Sequence, residues 1–192
     1  MRQIKSQEEI DKKRKRNQII IGVLLIITML SSTLGFAFFS RSDNQDTSQK
    51  IKYNDFEFNK NSNGMWEVTI GEQTFTTTYN PQETEDLNVS FTLTPTEFNN
   101  KPLYFVSDNP SAQNEITYNI GRYALRTQNV CLQGTACEEN LIVKNCSNNI
   151  FVLKSSNQTK AYKQDNCVFI EGYYDEQQRM TDRVIFKFLG IQ

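Results

Sequence analysis

Residues 12–41 read KKRKRNQIIIGVLLIITMLSSTLGFAFFSR, and this stretch divides the chain into its parts. Five consecutive cationic side chains, Lys12 to Arg16, are followed by 21 uncharged residues from Ile19 to Phe39. A helix rises about 1.5 Å per residue, so a run of this length can cross a hydrocarbon core about 30 Å thick. The sequence therefore predicts a transmembrane helix at residues 19–39.

The charges on either side of this run predict its orientation. Residues 1–18 carry seven Lys or Arg against three acids, whereas only Arg41 follows the run closely. Because cationic flanks stay in the cytoplasm, we expect residues 1–18 to be a basic cytoplasmic tail. Residues 40–50 are expected to be a polar linker, and residues 51–192 one compact extracytoplasmic domain. The chain would then be a single-pass protein of the cell membrane, held in the lipid bilayer by a signal anchor.

A cleavable signal peptide is the alternative interpretation of the same run. Gly35-Phe36-Ala37 places small residues where a signal peptidase could cut. Signal peptides have shorter apolar regions, however, of about 7 to 15 residues. Phe38 and Phe39 also extend the apolar run beyond the possible cut. We favour retention as an anchor, and cleavage stays open.

The charge of the outer part argues against one class of partner. Residues 40–192 contain 14 basic and 19 acidic residues, a balance of −5. A net-acidic domain has no broad surface for phosphates, so we expect no nucleic-acid partner. Most of the 13 Phe and 8 Tyr lie in this part and can form a core.

Short apolar and β-branched runs predict strands in the outer part. MWEVTI (65–70) and TFTTTY (74–79) flank Gly71 and predict a β-hairpin with Trp66 and Val68 on its buried face. PLYFVSD, from Pro102 to Asp108, predicts a buried strand. Three later runs, LIVKNC, IFVLKSS and CVFIEG, predict three more strands.

Three segments carry helix signals. Asn80-Pro81 and the acids that follow predict a short helix. Apolar residues at three- and four-residue spacing predict a second helix from about Ser111 to Gln128. A third is expected to begin after Asp175 and to end before Gly190. Because strands and helices are interspersed, the predicted fold class is α+β, with mixed α/β as the alternative.

All four cysteines lie in the outer part, at Cys131, Cys137, Cys146 and Cys167. An even number in an oxidising compartment predicts two disulfides, with three possible pairings. We favour Cys131 with Cys137, which are close in sequence, and Cys146 with Cys167, which would join neighbouring strands. A zinc site is the alternative, but 5, 8 and 20 intervening residues do not form the paired spacing of structural zinc. We therefore predict no metal site, and no motif indicates a cofactor.

The chain contains no histidine, which excludes several kinds of catalysis. Serine or cysteine nucleophiles activated by histidine and His-ligated catalytic metals cannot be built. Two acidic clusters could support carboxylate chemistry: Glu83, Glu85 and Asp86, and Glu171, Asp175 and Glu176. Both lie at predicted helix N-termini, where acids are favourable for structural reasons. No catalytic residue is therefore assigned.

Three triplets in the outer part match the glycosylation sequon. Asn88 and Asn157 are the candidate sites. Asn145 is disfavoured because the predicted disulfide would hold its neighbour Cys146.

The apolar run ending in LSSTLGFAFFS and the C-terminal NCVFIEGYYDEQQRMTDRVIFKFLGI resemble uncharacterised single-pass membrane proteins of small-genome archaea. The resemblance covers most of the chain, including the basic tail and the FEF and MWEVTI segments. It implies an archaeal envelope protein with an outward-facing domain. It brings no activity and no functional residues with it.

The leading functional hypothesis is a membrane-anchored domain that binds or scaffolds another protein or surface component of the cell envelope. An envelope enzyme that uses carboxylate acid–base chemistry is one alternative. A pilin-like surface subunit is another, since pilins also join a basic leader to an apolar helix and a disulfide-bonded head. The basic run here lacks a recognisable processing site, which places the pilin hypothesis last.

Overall fold

The computed structural model of the chain describes residues 14–29, 49–137 and 140–192. The chain divides into two units, Met1–Thr47 and Ser48–Gln192. The described residues of the first unit form helix α1 (14–29), in which large apolar side chains such as Ile19 and Leu24 are exposed. Among the described residues, no helix has both the length and the apolar character needed to cross a membrane. Residues 30–39 of the predicted span lie outside the described ranges.

The second unit begins with a four-stranded antiparallel meander, in which each strand pairs with the next. Its strands are β1 (Lys50–Tyr53), β2 (Phe56–Lys60), β3 (Trp66–Ile70) and β4 (Gln73–Thr77). β3 and β4 form the predicted hairpin. Trp66 and Val68 are buried, as their alternation predicts.

A five-stranded sheet follows, in the order β10-β11-β9-β5-β6. Its strands are β5 (Pro102–Ser107), β6 (Arg126–Asn129), β9 (Asn149–Ser155), β10 (Lys160–Gln164) and β11 (Cys167–Gly172). β6, β5, β9 and β11 are parallel, and β10 is an antiparallel edge. β11 therefore lies between the two strands that precede it in the chain. A short parallel pair, β7 (Cys131–Leu132) and β8 (Val143–Lys144), stands apart from this sheet.

The described residues of this unit form three helices: α2 (Pro95–Phe98), α3 (Pro110–Asn119) and α4 (Tyr174–Phe188). Asn109 caps α3, since its side-chain oxygen accepts a hydrogen bond from the Ala112 N–H. α3 connects β5 to the parallel strand β6 and forms a β-α-β crossover. Pro81–Thr84 and Gly121–Tyr123 form single 3-10 turns.

Helix α4 contributes to two hydrophobic cores. Met180, Val184 and Ile185 belong to the core formed with one face of the five-stranded sheet and α3. Phe186 instead packs in the core of the meander, with its ring centroid 5.8 Å from that of Phe58. A helix covered on two sides needs apolar residues on two sides, which explains why Phe186 lies apart from Met180, Val184 and Ile185. The fold is a compact α+β domain.

The predicted helix from Ser111 to Gln128 is wrong beyond Asn119, where α3 ends. The following residues form the 3-10 turn and then β6. A Cβ atom at Gly121 would lie only 3.1 Å from Thr127 Cγ2, so glycine lets β6 return close to the turn without displacing that methyl group. Ile120 is nevertheless buried, because the turn also points apolar side chains at the core.

Several other predicted segments are confirmed, and two are shorter in the structure than the sequence predicts. IFVLKSS and CVFIEG form β9 and β11, and PLYFVS forms β5. In LIVKNC only Val143–Lys144 is a strand, and Leu141, Ile142 and Val143 are exposed. The helix expected after Asn80 is only a 3-10 turn, although Asn80 and Glu83 form a complete capping box there.

Candidate functional site: a groove on the five-stranded sheet

Two disulfides hold residues 131–137 and 140–146, the disulfide segment, over the outer face of the five-stranded sheet. This is the face that does not pack against α3 and α4. Cys131 is bonded to Cys137 and Cys146 to Cys167, with Cα–Cα distances of 5.7 and 5.0 Å. These are the pairs that the sequence favours. Under the segment, a cluster that includes Tyr104 and Ile150 is buried. The disulfide segment thus covers the half of this face nearest the amino ends of the strands.

The uncovered half of the same face is organised in two rows by the strand register. One row is apolar and runs across four strands: Val106, Val152, Phe169 and Tyr162. The next row is charged and lies at the carboxyl ends of the parallel strands: Asp108, Lys154, Glu171 and Lys160. Asp108 continues β5, because its N–H donates to the Leu153 carbonyl. The signs of the charges alternate along this row.

These rows line a groove of about 470 Å³. The apolar row forms its floor, and Asp108, Lys154 and Glu171 lie at its rim. Leu132, Thr135 and Ala136 of the disulfide segment form a wall. The volume is within the range of small-molecule sites, about 300 to 1,000 Å³. In open sheets with parallel strands, ligands bind at the carboxyl ends of the strands, where this groove lies.

The β10 end of the groove is internally neutralised. Glu171 accepts a hydrogen bond from the Tyr162 hydroxyl at 2.9 Å and forms an ion pair with Lys160 at 3.2 Å. The Tyr162 ring stacks on Phe169 with centroids 4.8 Å apart. Burial raises the pKa of Tyr162, and the hydrogen bond to Glu171 raises it further. The hydroxyl therefore stays protonated and keeps Glu171 occupied.

The β5 end of the groove is different. Asp108 is held by the Ser155 N–H at 2.7 Å and by the Gln177 side-chain amide at 3.4 Å. Neither Asp108 nor Lys154 takes part in any ion pair between described residues. Adjacent parallel strands thus present one carboxylate and one ammonium group to the groove, each without a counter-ion from the described part of the chain.

A second cavity, of about 340 Å³, lies between α3 and the meander. Its lining includes Met65, Thr78 and Tyr118, together with the carboxyl group of Glu115. Behind Glu115 lies Asp182 of α4, which is fully buried. Burial raises the pKa of both acids, and for Asp182 the charge of Glu115 adds to the effect. We infer that Asp182 is protonated and donates to Glu115.

Donors within the protein already use most of the hydrogen-bonding capacity of Glu115 and Asp182. Glu115 accepts from the Thr78 N–H at 2.7 Å, from the Thr78 hydroxyl at 3.1 Å and from the Gln178 amide. Asp182 accepts from the Tyr79 N–H at 2.7 Å. With the shared proton, few lone pairs of Glu115 remain for a ligand. The pair therefore joins the end of β4 to α3 and α4, and we assign it a structural role.

The acidic clusters expected from the sequence are mostly structural as well. Glu83 belongs to the capping box with Asn80. Arg179 joins the two clusters, since it pairs with Asp86 at 2.7 Å and with Glu176 at 3.0 Å. Of the six acids in the two clusters, Glu171 is the one that lines the groove.

Both candidate glycosylation sites, Asn88 and Asn157, are exposed. The side-chain oxygen of Asn145 accepts hydrogen bonds from the Ser147 N–H and hydroxyl, and Cys146 is in a disulfide. This local turn agrees with placing Asn145 last.

Sequence reasoning named Glu171 but did not point to Asp108, Lys154 or Glu115 as site residues. Asp108 and Lys154 belong to no recognisable motif, and only strand register brings them together. Asp182 lies on the buried side of α4 between Gln178 and Phe186, but two polar residues in this row leave no apolar periodicity that would reveal it in the sequence. Comparisons with protein-family models, curated proteins and solved structures found no match to this chain. The geometry of the groove therefore carries the functional argument.

Proposed function

We propose that this chain is a membrane-anchored, extracytoplasmic binding domain that takes up a small component of the cell envelope in the groove. The observation that carries the proposal is the groove itself. An apolar floor lies beside a charged rim, at the carboxyl ends of parallel strands. Small-molecule sites commonly combine mostly apolar walls with a few well-placed polar groups.

The proposed location rests on charge, hydropathy and disulfide bonding. The basic residues before the apolar run favour a cytoplasmic N-terminus. The exposed apolar side chains of α1 suit a lipid environment. Two disulfides in a domain of this size are typical of an oxidising compartment outside the cytoplasm.

Binding is better supported than carboxylate catalysis. An acid–base enzyme needs a carboxyl group that can reach its substrate. Glu115 borders a cavity, but its oxygens already accept from Thr78 and Gln178. In the groove, Glu171 is similarly engaged by Tyr162 and Lys160, and both oxygens of Asp108 already accept hydrogen bonds, from the Ser155 N–H and the Gln177 amide.

A groove-filling substitution tests the binding proposal. Ala136 is exposed and lines the groove wall, so Ala136→Trp should fill the groove without disturbing the core. Full-length protein in lipid nanodiscs would be dialysed against a small-molecule extract of cell envelopes, and retained compounds identified by mass spectrometry. We expect Ala136→Trp to retain at least tenfold less of a compound that the wild type retains. Ser62→Trp, in the exposed β2–β3 turn, is the matched control and should behave as wild type. Equal retention by all three proteins would overturn the proposal.

The location is tested separately. Sealed cells that produce the full chain would be treated with an added protease, and the product detected with an antibody against residues 160–192. We expect the outer domain to be shaved from intact cells. Protection of this domain until the cells are lysed would contradict the proposed orientation.

A further inference from the structure

We infer that the groove binds a small zwitterion with an apolar side chain, the chemical class of the free apolar α-amino acids. This inference rests on the proposed function and specifies its ligand. It is carried by the placement of Asp108 and Lys154 beside the apolar row.

The two ions at the β5 end select for paired opposite charges. Asp108 and Lys154 extend adjacent parallel strands and line the same groove, and neither is in an ion pair with any described residue. A bound anion would meet the carboxylate of Asp108, and a bound cation would meet the ammonium of Lys154. Both ions are exposed at the rim of the groove, and an uncharged ligand would pair with neither of them. A zwitterion offers an ammonium group to Asp108 and a carboxylate to Lys154, so both charges gain a partner.

The spacing of the ions suits an α-amino acid. Adjacent strands are about 4.8 Å apart. In an α-amino acid, one carbon separates the ammonium and carboxylate groups, so a single ligand can reach two neighbouring strands. Its ammonium group would bind Asp108 and its carboxylate would bind Lys154. The hydrogen bond from the Ser155 N–H holds the Asp108 side chain in position.

The floor of the groove specifies the rest of the ligand. Val106 and Val152 precede Asp108 and Lys154 by two residues, which is about 6.6 Å along a strand. Phe169 continues the apolar row beside Val152. A branched aliphatic or aromatic side chain would therefore lie on this row while the charged end stays at the rim. Glu171 does not compete for the ammonium group, because Lys160 and Tyr162 occupy it.

Calorimetry with defined ligands tests the inference. Full-length protein in nanodiscs would be titrated with L-leucine and L-phenylalanine, and empty nanodiscs would give the blank. N-acetyl-leucine lacks the ammonium group, and leucine amide lacks the carboxylate. We expect at least one free amino acid to bind, and both blocked analogues to bind at least tenfold more weakly.

Two isosteric variants assign the charges. Lys154→Gln should weaken binding of the free amino acid at least tenfold but leave the affinity for leucine amide nearly unchanged. Asp108→Asn keeps an acceptor for the Ser155 N–H and should selectively weaken recognition of the ammonium group. Lys52→Gln, at an exposed position on β1, is the control and should bind as wild type. Unfolding midpoints of all variants would show that each is folded.

Three results would overturn the inference, and they separate it from the proposed function. If neither amino acid binds but Ala136→Trp still abolishes retention of another compound, the ligand class is wrong and the binding function stands. If an amino acid binds equally well to Lys154→Gln and Asp108→Asn, the assigned site is wrong. If no amino acid binds and Ala136→Trp changes nothing, both proposals fail.

Discussion

Asp182 on α4 and Glu115 on α3 are buried acids that together hold the end of β4, since Asp182 accepts from the Tyr79 N–H and Glu115 from the Thr78 N–H, each at 2.7 Å. Oδ2 of Asp182 accepts from the Tyr79 N–H, whereas no donor faces its buried Oδ1. An oxygen that carries a proton and donates it to Glu115 accounts for this arrangement. We infer that the folded protein holds one proton between these two acids.

This proton makes stability depend on pH. Burial raises the pKa of Asp182 well above its usual value, and the charge of Glu115 raises it further. A raised pKa in the folded state contributes stability that is fully present below the unfolded-state pKa. That stability is lost as the pH rises toward the folded-state pKa, by about 1.4 kcal/mol per pH unit while only the folded state stays protonated.

Asp182→Asn should remove this dependence. The amide oxygen can still accept from the Tyr79 N–H, and the amide NH2 can donate to Glu115 without a titrating proton. We expect the variant to unfold with about the wild-type free energy near pH 4 and to be the more stable protein near pH 8. Chemical unfolding of the full-length chain across this range is the measurement. Asp182→Ala, which leaves the Tyr79 N–H unpaired, should be less stable at every pH. Identical pH slopes for wild type and Asp182→Asn would contradict the shared proton.

Asn119 should be the most sensitive polar residue on α3. Its side chain accepts from the Thr76 N–H at 3.0 Å and donates to the Thr76 carbonyl at 2.7 Å, so it pairs with the edge of β4 as another strand would. Asn119→Ala leaves both backbone groups unpaired, and we expect a loss of about 2 to 4 kcal/mol in the free energy of unfolding. Asn114→Ala, at an exposed position on the same helix, should change it by less than about 0.5 kcal/mol. A similar loss in both variants would show that α3 tolerates substitution poorly in general.

The two disulfides should contribute unequally. Their sequence separations are 6 residues for Cys131–Cys137 and 21 for Cys146–Cys167. In the chain-entropy account, the shorter loop contributes about 2 kcal/mol and the longer about 3 kcal/mol. Replacing Cys146 and Cys167 by Ala also leaves a gap beside the buried Tyr104 cluster, so this pair should lower the unfolding midpoint more. Differential scanning calorimetry of the two double variants gives the comparison, and a larger loss for the short loop would refute this order.

Gly121 distinguishes the observed turn from the helix that the sequence predicts. In the middle of a helix, Gly121→Ala would stabilise the protein by about 0.5 to 1 kcal/mol. In the turn, the new Cβ would lie 3.1 Å from Thr127 Cγ2, and we expect destabilisation instead. Thr127→Ser removes that methyl group, so the double variant should regain most of the loss. If Gly121→Ala instead stabilises the protein, the result would favour the longer helix that the sequence predicts over the observed turn.

Segments with a regular pattern and buried side chains could be predicted from the sequence. The hairpin of β3 and β4 and the long helix α4 carry a period of two or 3.6 residues, β5 is a short continuous apolar run, and the structure has all of them. The edge strands β6 and β10 were missed, because RTQN and KAYKQ are mostly polar. β6 depends on pairing with β5, which precedes it by 24 residues in the register, whereas β10 pairs with β11 across a two-residue turn that follows a polar strand.

The candidate site was harder to predict than the fold. The disulfide pairs follow from even cysteine counts and spacing. The groove arises from strand register, which places Asp108 beside Lys154 although 45 residues separate them. Side chains that meet only through a parallel crossover leave no local pattern in the sequence.

The position of β11 between β9 and β10 has a consequence for biosynthesis. Neither neighbour has its final partner until residues 167–172 are available, and α4, which fills both cores, comes later still. A chain that leaves the ribosome, or crosses a membrane, with its N-terminus leading cannot complete this interior until residues 173–192 have emerged. Products that stop before residue 173 should therefore be open to quality-control proteases.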